Sequence, residues 1–494
     1  MEIEAVIGLE VHAELQTRSK MFCSCPVVDA TQARPNTAVC PVCAGMPGVL
    51  PVVNQQAVEY GLRVALALEC DIPHTSVFAR KNYFYPDLPK GYQISQYEYP
   101  LGIYGRLPIQ TPSGEQVIRI RRVHLEEDTG KLTHVSRGNE SYSLVDLNRA
   151  GVPLLEIVSE PDMHSVEAVR AYASGLRAVI RYVGVNSGDM EKGLIRFEAN
   201  VSVRPKDSAD LGNRVEIKNL NSFRALERAT SYEIQRQSEL LRKNKPVAQE
   251  TLGWDDAKGV TFTQRSKEEA HDYRYFPEPD LPPLIAEKEW VERVRAGLPE
   301  LPLAKYQRFQ KEYGLSGYDA SLLVNEQALA GYFEQAVALG KMPAKSIANW
   351  MLGDLFSLMN QTGTAIGDIK VTPAALVDLI HLESQGTINH ITAKSVLTDM
   401  FTSGKTAGAI IAARGLEQVS DSGVIADLVK KVLEEHPQEV DHYLAGKETL
   451  SQWFFGQVMR QAKGQANPQI VRDTLQRQLD ILKSAPPESG DQDI

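Results

Sequence analysis

The residues most able to do chemistry lie in the first half of this 494-residue chain. Cys23-Ser-Cys25 and Cys40-Pro-Val-Cys43 present four thiols in two close pairs, the arrangement by which two loops wrap one tetrahedral ion. Four sulfur ligands fill the coordination shell and leave no open position. The expected ion is therefore a structural Zn2+ clamping the loop between residues 23 and 43. Buried reduced thiols or an iron–sulfur cluster would use the same residues. Cys70, alone between Glu69 and Asp71, reads as a small buried side chain.

A second constellation is acidic. Period-two alternation in Val6-Ile-Gly-Leu-Glu-Val-His-Ala-Glu-Leu15 puts Glu10, His12 and Glu14 on one strand face and Val11, Ala13 and Leu15 on the other. The same pattern aligns Glu198, Asn200, Ser202 and Arg204, and it aligns Glu216 with Lys218. Glu126, Glu127 and Asp128 stand just before a glycine turn. If these strands are neighbours, their carboxylates converge with an imidazole, and like charges repel unless a cation sits among them. Mg2+ or Mn2+ suits hard oxygen ligands with a lone histidine. A merely solvated polar face has the same pattern.

Arg80-Lys-Asn-Tyr-Phe-Tyr-Pro-Asp87 joins cations to aromatics, a composition that grips phosphate while stacking a base or sugar. An aromatic core strand with an exposed Arg80-Lys81 end is the alternative. Ser266 to Pro277 has similar chemistry and the same two readings. Neither a P-loop nor a dinucleotide-binding glycine motif is present, nor a nucleophile elbow or papain-like cysteine context.

The elements that must position these groups form an α+β protein. Residues 1–293 alternate short strands with Gly, Pro and Asn turns, and read as a mainly antiparallel-sheet cradle with helices laid against it. The proline-dense stretch Pro277 to Pro283 closes that region. An all-helical middle domain is expected over 294–410, a small helical tail domain over 411–484, and a mobile terminus over 485–494. Within the tail, Arg460, Lys463 and Arg472 surround the turn Gly464-Gln-Ala-Asn-Pro468. A net charge of -10 argues against a uniformly basic nucleic-acid coat but permits a local basic face. No apolar run approaches a membrane span and no basic signal region opens the chain, so the expected compartment is the cytoplasm.

Ile7 to Glu14, Arg80 to Asp87, Gln93 to Gln96, His124 to Lys131, Ser143 to Arg149, Glu216 to Phe223, Asp272 to Asp280 and Lys463 to Pro468 occur in order along the chain. Through these segments it resembles the B-subunit family of the tRNA-dependent amidotransferases. The resemblance implies a heterotrimer in which an A subunit, an amidase, frees ammonia from glutamine and a small C subunit straps the two together. This chain would use ATP and Mg2+ (or Mn2+) to phosphorylate the side-chain carboxylate of Glu or Asp on misacylated tRNA, and ammonia would displace the phosphate. The family positions carried over are His12, Glu10, Glu127, Glu198 and Glu216 for the ion, with Lys81, Tyr83 and Arg80 as phosphate or substrate contacts. Catalysis would fall to His12, Glu10, Glu127 and Lys81, and tRNA gripping to Arg460, Lys463 and Arg472. Many relatives have Cys-Asp-Ala-Asn where this chain has Phe197-Glu-Ala-Asn200, so the longer Glu198 would reach the ion differently. Neither a membrane nor DNA is an expected partner. A non-catalytic, zinc-stabilised tRNA-binding scaffold is the rival reading of the same residues.

Overall fold

Alternation along Ile3–Glu14 makes a strand with one packed face. Leu9, Val11 and Ala13 are at most 1% exposed, while Glu10, His12 and Glu14 on the other face stay half-buried. In the computed structural model, described for residues 2–29, 31–138, 140–266, 273–416, 422–462 and 466–484, this strand lies inside an eight-stranded sheet. The order across that sheet is Val260–Ser266, Glu250–Asp255, Val215–Leu220, Ile195–Pro205, Ile3–Glu14, Pro153–Ser159, Gly114–Glu127 and Gly102–Thr111. Neighbours are antiparallel except Val215–Leu220 with Glu250–Asp255.

One face of the sheet is covered by the helices Gln55–Ala67, Val166–Tyr182 and Phe223–Arg242. Each begins at a side chain that accepts hydrogen bonds from first-turn amides: Asn54 from Gln56 and Ala57, Ser165 from Ala168, and Ser222 from Ala225. Their apolar stripes, including Leu62, Tyr172, Leu176 and Leu226, join Ile7, Val11, Phe197 and Val201 in one core. The other face is left for polar side chains.

A small sheet of Phe276–Pro277, Phe78–Asn82 and Tyr92–Gln96 is bolted to the strand Gly114–Glu127 by polar contacts. The Ile94 N–H donates to the Glu127 carboxylate at 2.9 Å, Gln93 Nε2 to the Glu127 carbonyl at 2.6 Å, and the Leu125 N–H to Gln96 Oε1 at 3.0 Å. These bonds fix the small sheet, and with it Lys81 and Tyr83, against the polar face.

The chain divides into the units Met1–Lys305 and Tyr306–Ile494. The second unit is helical, with one apolar cluster around Phe333, Trp350, Leu376 and Leu397 and another around Val429, Phe454, Val471 and Leu479. The helical periodicity from Ala344 to Met359 is realised as Ala344–Trp350, a wider π turn at Met351–Leu355, and Phe356–Thr362. Lys463 and the 485–494 terminus lie outside the described residues. Among those described, no helix is long and apolar enough to cross a membrane.

Phe197 is fully buried beside the polar-face residues Arg196 and Glu198, its ring 6.0 Å from that of Phe223. Phe197→Ala is expected to destabilise the first unit by about 3–5 kcal/mol in urea unfolding, and a loss below about 1 kcal/mol would contradict this packing.

Candidate functional site

Antiparallel register turns alternation along single strands into rows across them. His12 stands opposite Glu156 on one neighbour and Arg196 on the other, and Glu156 stands opposite His124. Two residues back, Glu10 faces Glu198, and Asn200 faces Glu216. All of these side chains line one basin of about 1050 Å³, to which the small sheet adds Lys81 and its flanking loops add Tyr83 and Tyr275.

Two ligand sets form there. His12, Glu126 and Glu156 bring one ligand atom each to within 4.8 Å of one another, and so do Glu10, Glu198 and Glu216. In the first set His12 Nε2 lies 3.4 Å from Glu156 and 3.7 Å from Glu126, while His124 Nε2 holds Glu156 from the other side at 3.2 Å. Burial disfavours the His12 imidazolium, but the bond to Glu156 and the charges of Glu156, Glu198 and Glu126 override it and lift the pKa to about 9. Burial pushes Glu156 up, yet the two histidines hold it well below the usual carboxylate range. In the second set Lys218 Nζ bridges Glu198 at 2.8 Å and Glu216 at 3.1 Å, and Asn200 Nδ2 donates to Glu10 at 3.0 Å. Glu10 is raised by burial and then by Glu156, Glu198 and Glu216. Its protonation would be relieved by a cation. Oxygen-rich sets of this kind suit a hard divalent ion.

The basin gathers Glu10, His12, Glu198, Glu216, Lys81 and Tyr83 from separate segments. It does not gather Glu127 or Arg80. Towards the end of the strand Gly114–Glu127, Arg122, His124 and Glu126 line the basin at every second position, followed by Asp128, while Glu127 points to the opposite side. There its carboxylate takes the Ile94 amide and the Lys90 ammonium. Arg80 turns the opposite way from Lys81, forks onto Glu278 with both bonds at 2.8 Å, and lies 4.3 Å from the Tyr92 ring centroid. Arg460 and Arg472 are exposed on helices of the second unit.

Glu156, His124 and Arg196 belong to the site although their spacing in the sequence does not single them out. Glu156 carried a readable signal, a lone carboxylate inside the apolar run Pro153-Leu-Leu-Glu-Ile-Val-Ser159, whose every residue is buried.

The cysteines also converge. Their sulfurs lie within 4.8 Å of one another, with Cys43 Sγ 3.8 Å from Cys40 and 4.0 Å from Cys25. A tetrahedron with Zn–S bonds near 2.3 Å has edges of about 3.8 Å, so the donor set fits such an ion. Cys43 is drawn down to about 4 by the Cys23 thiol, against burial, helped by the Cys40 N–H and the buried Lys20. That favours a thiolate at Cys43, while the same bond pushes the Cys23 thiol up and burial pushes up that of Cys25.

The family model described as the GatB/GatE catalytic domain matches residues 5–292, and that described as the GatB domain matches 331–479. The chain is 52% identical to the B subunit of the aspartyl/glutamyl-tRNA(Asn/Gln) amidotransferase of Thermodesulfovibrio yellowstonii over 477 residues, covering 96% of this chain and 99% of that one. The same B subunit from Moorella thermoacetica is 52% identical over 480 residues, covering 97% and 100%. That of Myxococcus xanthus is 51% identical over 478 residues, covering 97% and 99%.

In the ion-free chain, the raised His12 pKa gives protonated His12 a stabilising contribution that is complete below about pH 6.5 and lost as pH rises through about 9. An ion that takes the imidazole nitrogen must displace that proton. Mn2+ affinity, followed by electron paramagnetic resonance, is therefore expected to rise by roughly one to two orders of magnitude between neutral pH and the His12 pKa. A pH-independent affinity would remove His12 from the ligand set.

Proposed function

Because the chain belongs to the GatB/GatE family and carries its catalytic domain, we propose that the basin activates the side-chain carboxylate of Glu or Asp esterified to tRNA and amidates it. The observation that carries this reading is the placement of two carboxylate-rich ligand sets and a lysine ammonium in one basin. A carboxylate near neutral pH resists an amine until one of its oxygens becomes a leaving group. ATP meets that need by transferring its γ-phosphoryl to a carboxylate oxygen, giving an acyl phosphate and ADP. Ammonia then attacks the carbonyl carbon, the C–N bond forms, the C–O bond to phosphate breaks, and the nitrogen sheds its extra proton.

The residues divide this work. His12, Glu126 and Glu156 would hold one Mg2+ or Mn2+, and Glu10, Glu198 and Glu216 are a second set for such an ion. When bound, the ion supplies charge neutralisation for the transferring phosphoryl group. His124 fixes Glu156, and Asn200 fixes Glu10. Burial opposes the charge on Lys81, but Glu126 above all keeps it protonated, so its ammonium is available to orient phosphate.

The same reading makes the cysteine-bound ion a structural Zn2+ and places this chain in a cytoplasmic complex with an amidase partner, the A subunit, and a small C subunit. Arg460 and Arg472, with Lys463, would meet the tRNA backbone.

With free ammonium replacing the amidase step, the reconstituted complex carrying His12→Ala or Glu156→Gln is expected to lose product formation by roughly 100- to 10,000-fold while still binding tRNA. Near-normal activity in both variants would exclude the basin as the reaction site. Cys43→Ser is expected to release the zinc and lower the unfolding temperature of the whole chain, and an unchanged metal content by atomic absorption would contradict the Cys-bound ion.

A further inference from the structure

One stretch of the basin wall is aromatic. Tyr97 and Tyr275 stack face to face, with ring centroids 4.3 Å apart and planes 7° from parallel. Tyr273 meets Tyr275 edge-on at 6.0 Å and Tyr83 at 5.9 Å, so the rings run as a strip from Tyr97 to Tyr83. Every ring of the strip lines the basin, and none belongs to the apolar core of this unit. Tyr97 is 45% exposed. Packing therefore does not account for this π surface, which a core would have covered.

Charged groups attend both ends of the strip. Arg122 sets its guanidinium carbon 5.6 Å from the Tyr97 centroid, and its Nε is buried with no hydrogen-bond partner among the described residues. Arg122 also lines the basin, so this unmet donor stands in the wall of a cavity large enough for a ligand. At the other end Lys81 Nζ lies 5.1 Å from the Tyr273 centroid and 6.0 Å from that of Tyr83. A flat π surface, a free guanidinium donor and an ammonium in sequence match the three parts of a nucleoside phosphate: base, acceptor edge and phosphate.

We infer that the Tyr97–Tyr275 pair is a nucleobase platform, on which a base stacks while Arg122 Nε donates to a base or ribose acceptor and Lys81 meets the adjoining phosphate. The inference rests on the nucleotide reading of the basin given above. The chemistry is shared by ATP and by the 3′-terminal nucleoside of an aminoacylated tRNA, and kinetics separates the two. Stacking enters through ground-state affinity, so its loss falls on KM rather than on kcat.

The test uses the reconstituted complex with ammonium as nitrogen donor, measuring KM for ATP and for the misacylated tRNA in Tyr97→Leu and Tyr275→Leu. Removal of the rings is expected to raise one of these KM values by roughly 5- to 150-fold with kcat changed less than about twofold. A rise for ATP assigns the platform to the base of ATP, and a rise for tRNA assigns it to the terminal nucleoside. Tyr97→Phe and Tyr275→Phe, which keep the rings, are expected to restore that KM, a rescue that a damaged fold would not show. Both KM values unmoved, or a Phe variant as weak as its Leu counterpart, would overturn the platform while leaving the proposed reaction standing. No ATP-dependent product from the wild-type complex would overturn both.

Discussion

Carboxylates crowded on one face of a sheet must be neutralised before that face can withdraw from water, and the arrangement of the first unit follows from this requirement. Two buried like charges a few ångströms apart cost several kcal/mol unless cations or protons intervene. Glu156 lies between His12 at 3.4 Å and His124 at 3.2 Å, and Asp128 lies between Arg196 at 2.9 Å and Arg149 at 3.6 Å. Glu198 and Glu216 share Lys218. Glu10 takes a hydrogen bond from the neutral amide of Asn200, and burial with the nearby Glu156, Glu198 and Glu216 pushes it toward protonation against the pull of His12. The face is thus nearly balanced by its own cations, and the remaining imbalance is concentrated around Glu10, Glu198 and Glu216.

The fold supplies this balance by register. Strands far apart in sequence are placed side by side, so that Arg196, His12, Glu156 and His124 stand in one row, with the carboxylate between two imidazoles, without any local motif. Among the described residues, the helices on the opposite face contribute no side chain to the basin. They hold Leu9, Val11, Phe197 and Ala199 in the core and thereby aim Glu10, His12 and Glu198 the other way. The small sheet, tied to the strand Gly114–Glu127 through Glu127 itself, brings a cation and aromatic rings from a third direction.

Much of this was legible in the sequence, because period-two alternation states which residues of a strand share a face. Glu10 with His12, Glu198 with Asn200, and Glu216 with Lys218 are together as their spacing requires. What alternation cannot state is which face meets the partner strands. Glu126 and Glu127 are therefore equivalent in sequence, and only the pairing with Pro153–Ser159 sends Glu126 into the basin and Glu127 to Lys90. Arg80 and Lys81 are separated in the same way, one to Glu278 and the other to the basin. Glu156 escaped because its strand is buried on both faces and shows no alternation. The cysteine cluster was the most readable feature, since four thiols in two short spacings need little more than loop closure to meet.

If the basin activates a carboxylate by phosphorylation, as proposed, the oxygen atoms themselves report on it. The wild-type complex would be given ATP, ammonium and misacylated tRNA whose amino-acid side chain carries heavy-isotope oxygen in its carboxylate, and the released inorganic phosphate would be examined by mass spectrometry. Activation through an acyl phosphate requires one heavy oxygen to pass into the phosphate for each amide formed. Amide produced with isotopically light phosphate would contradict the account.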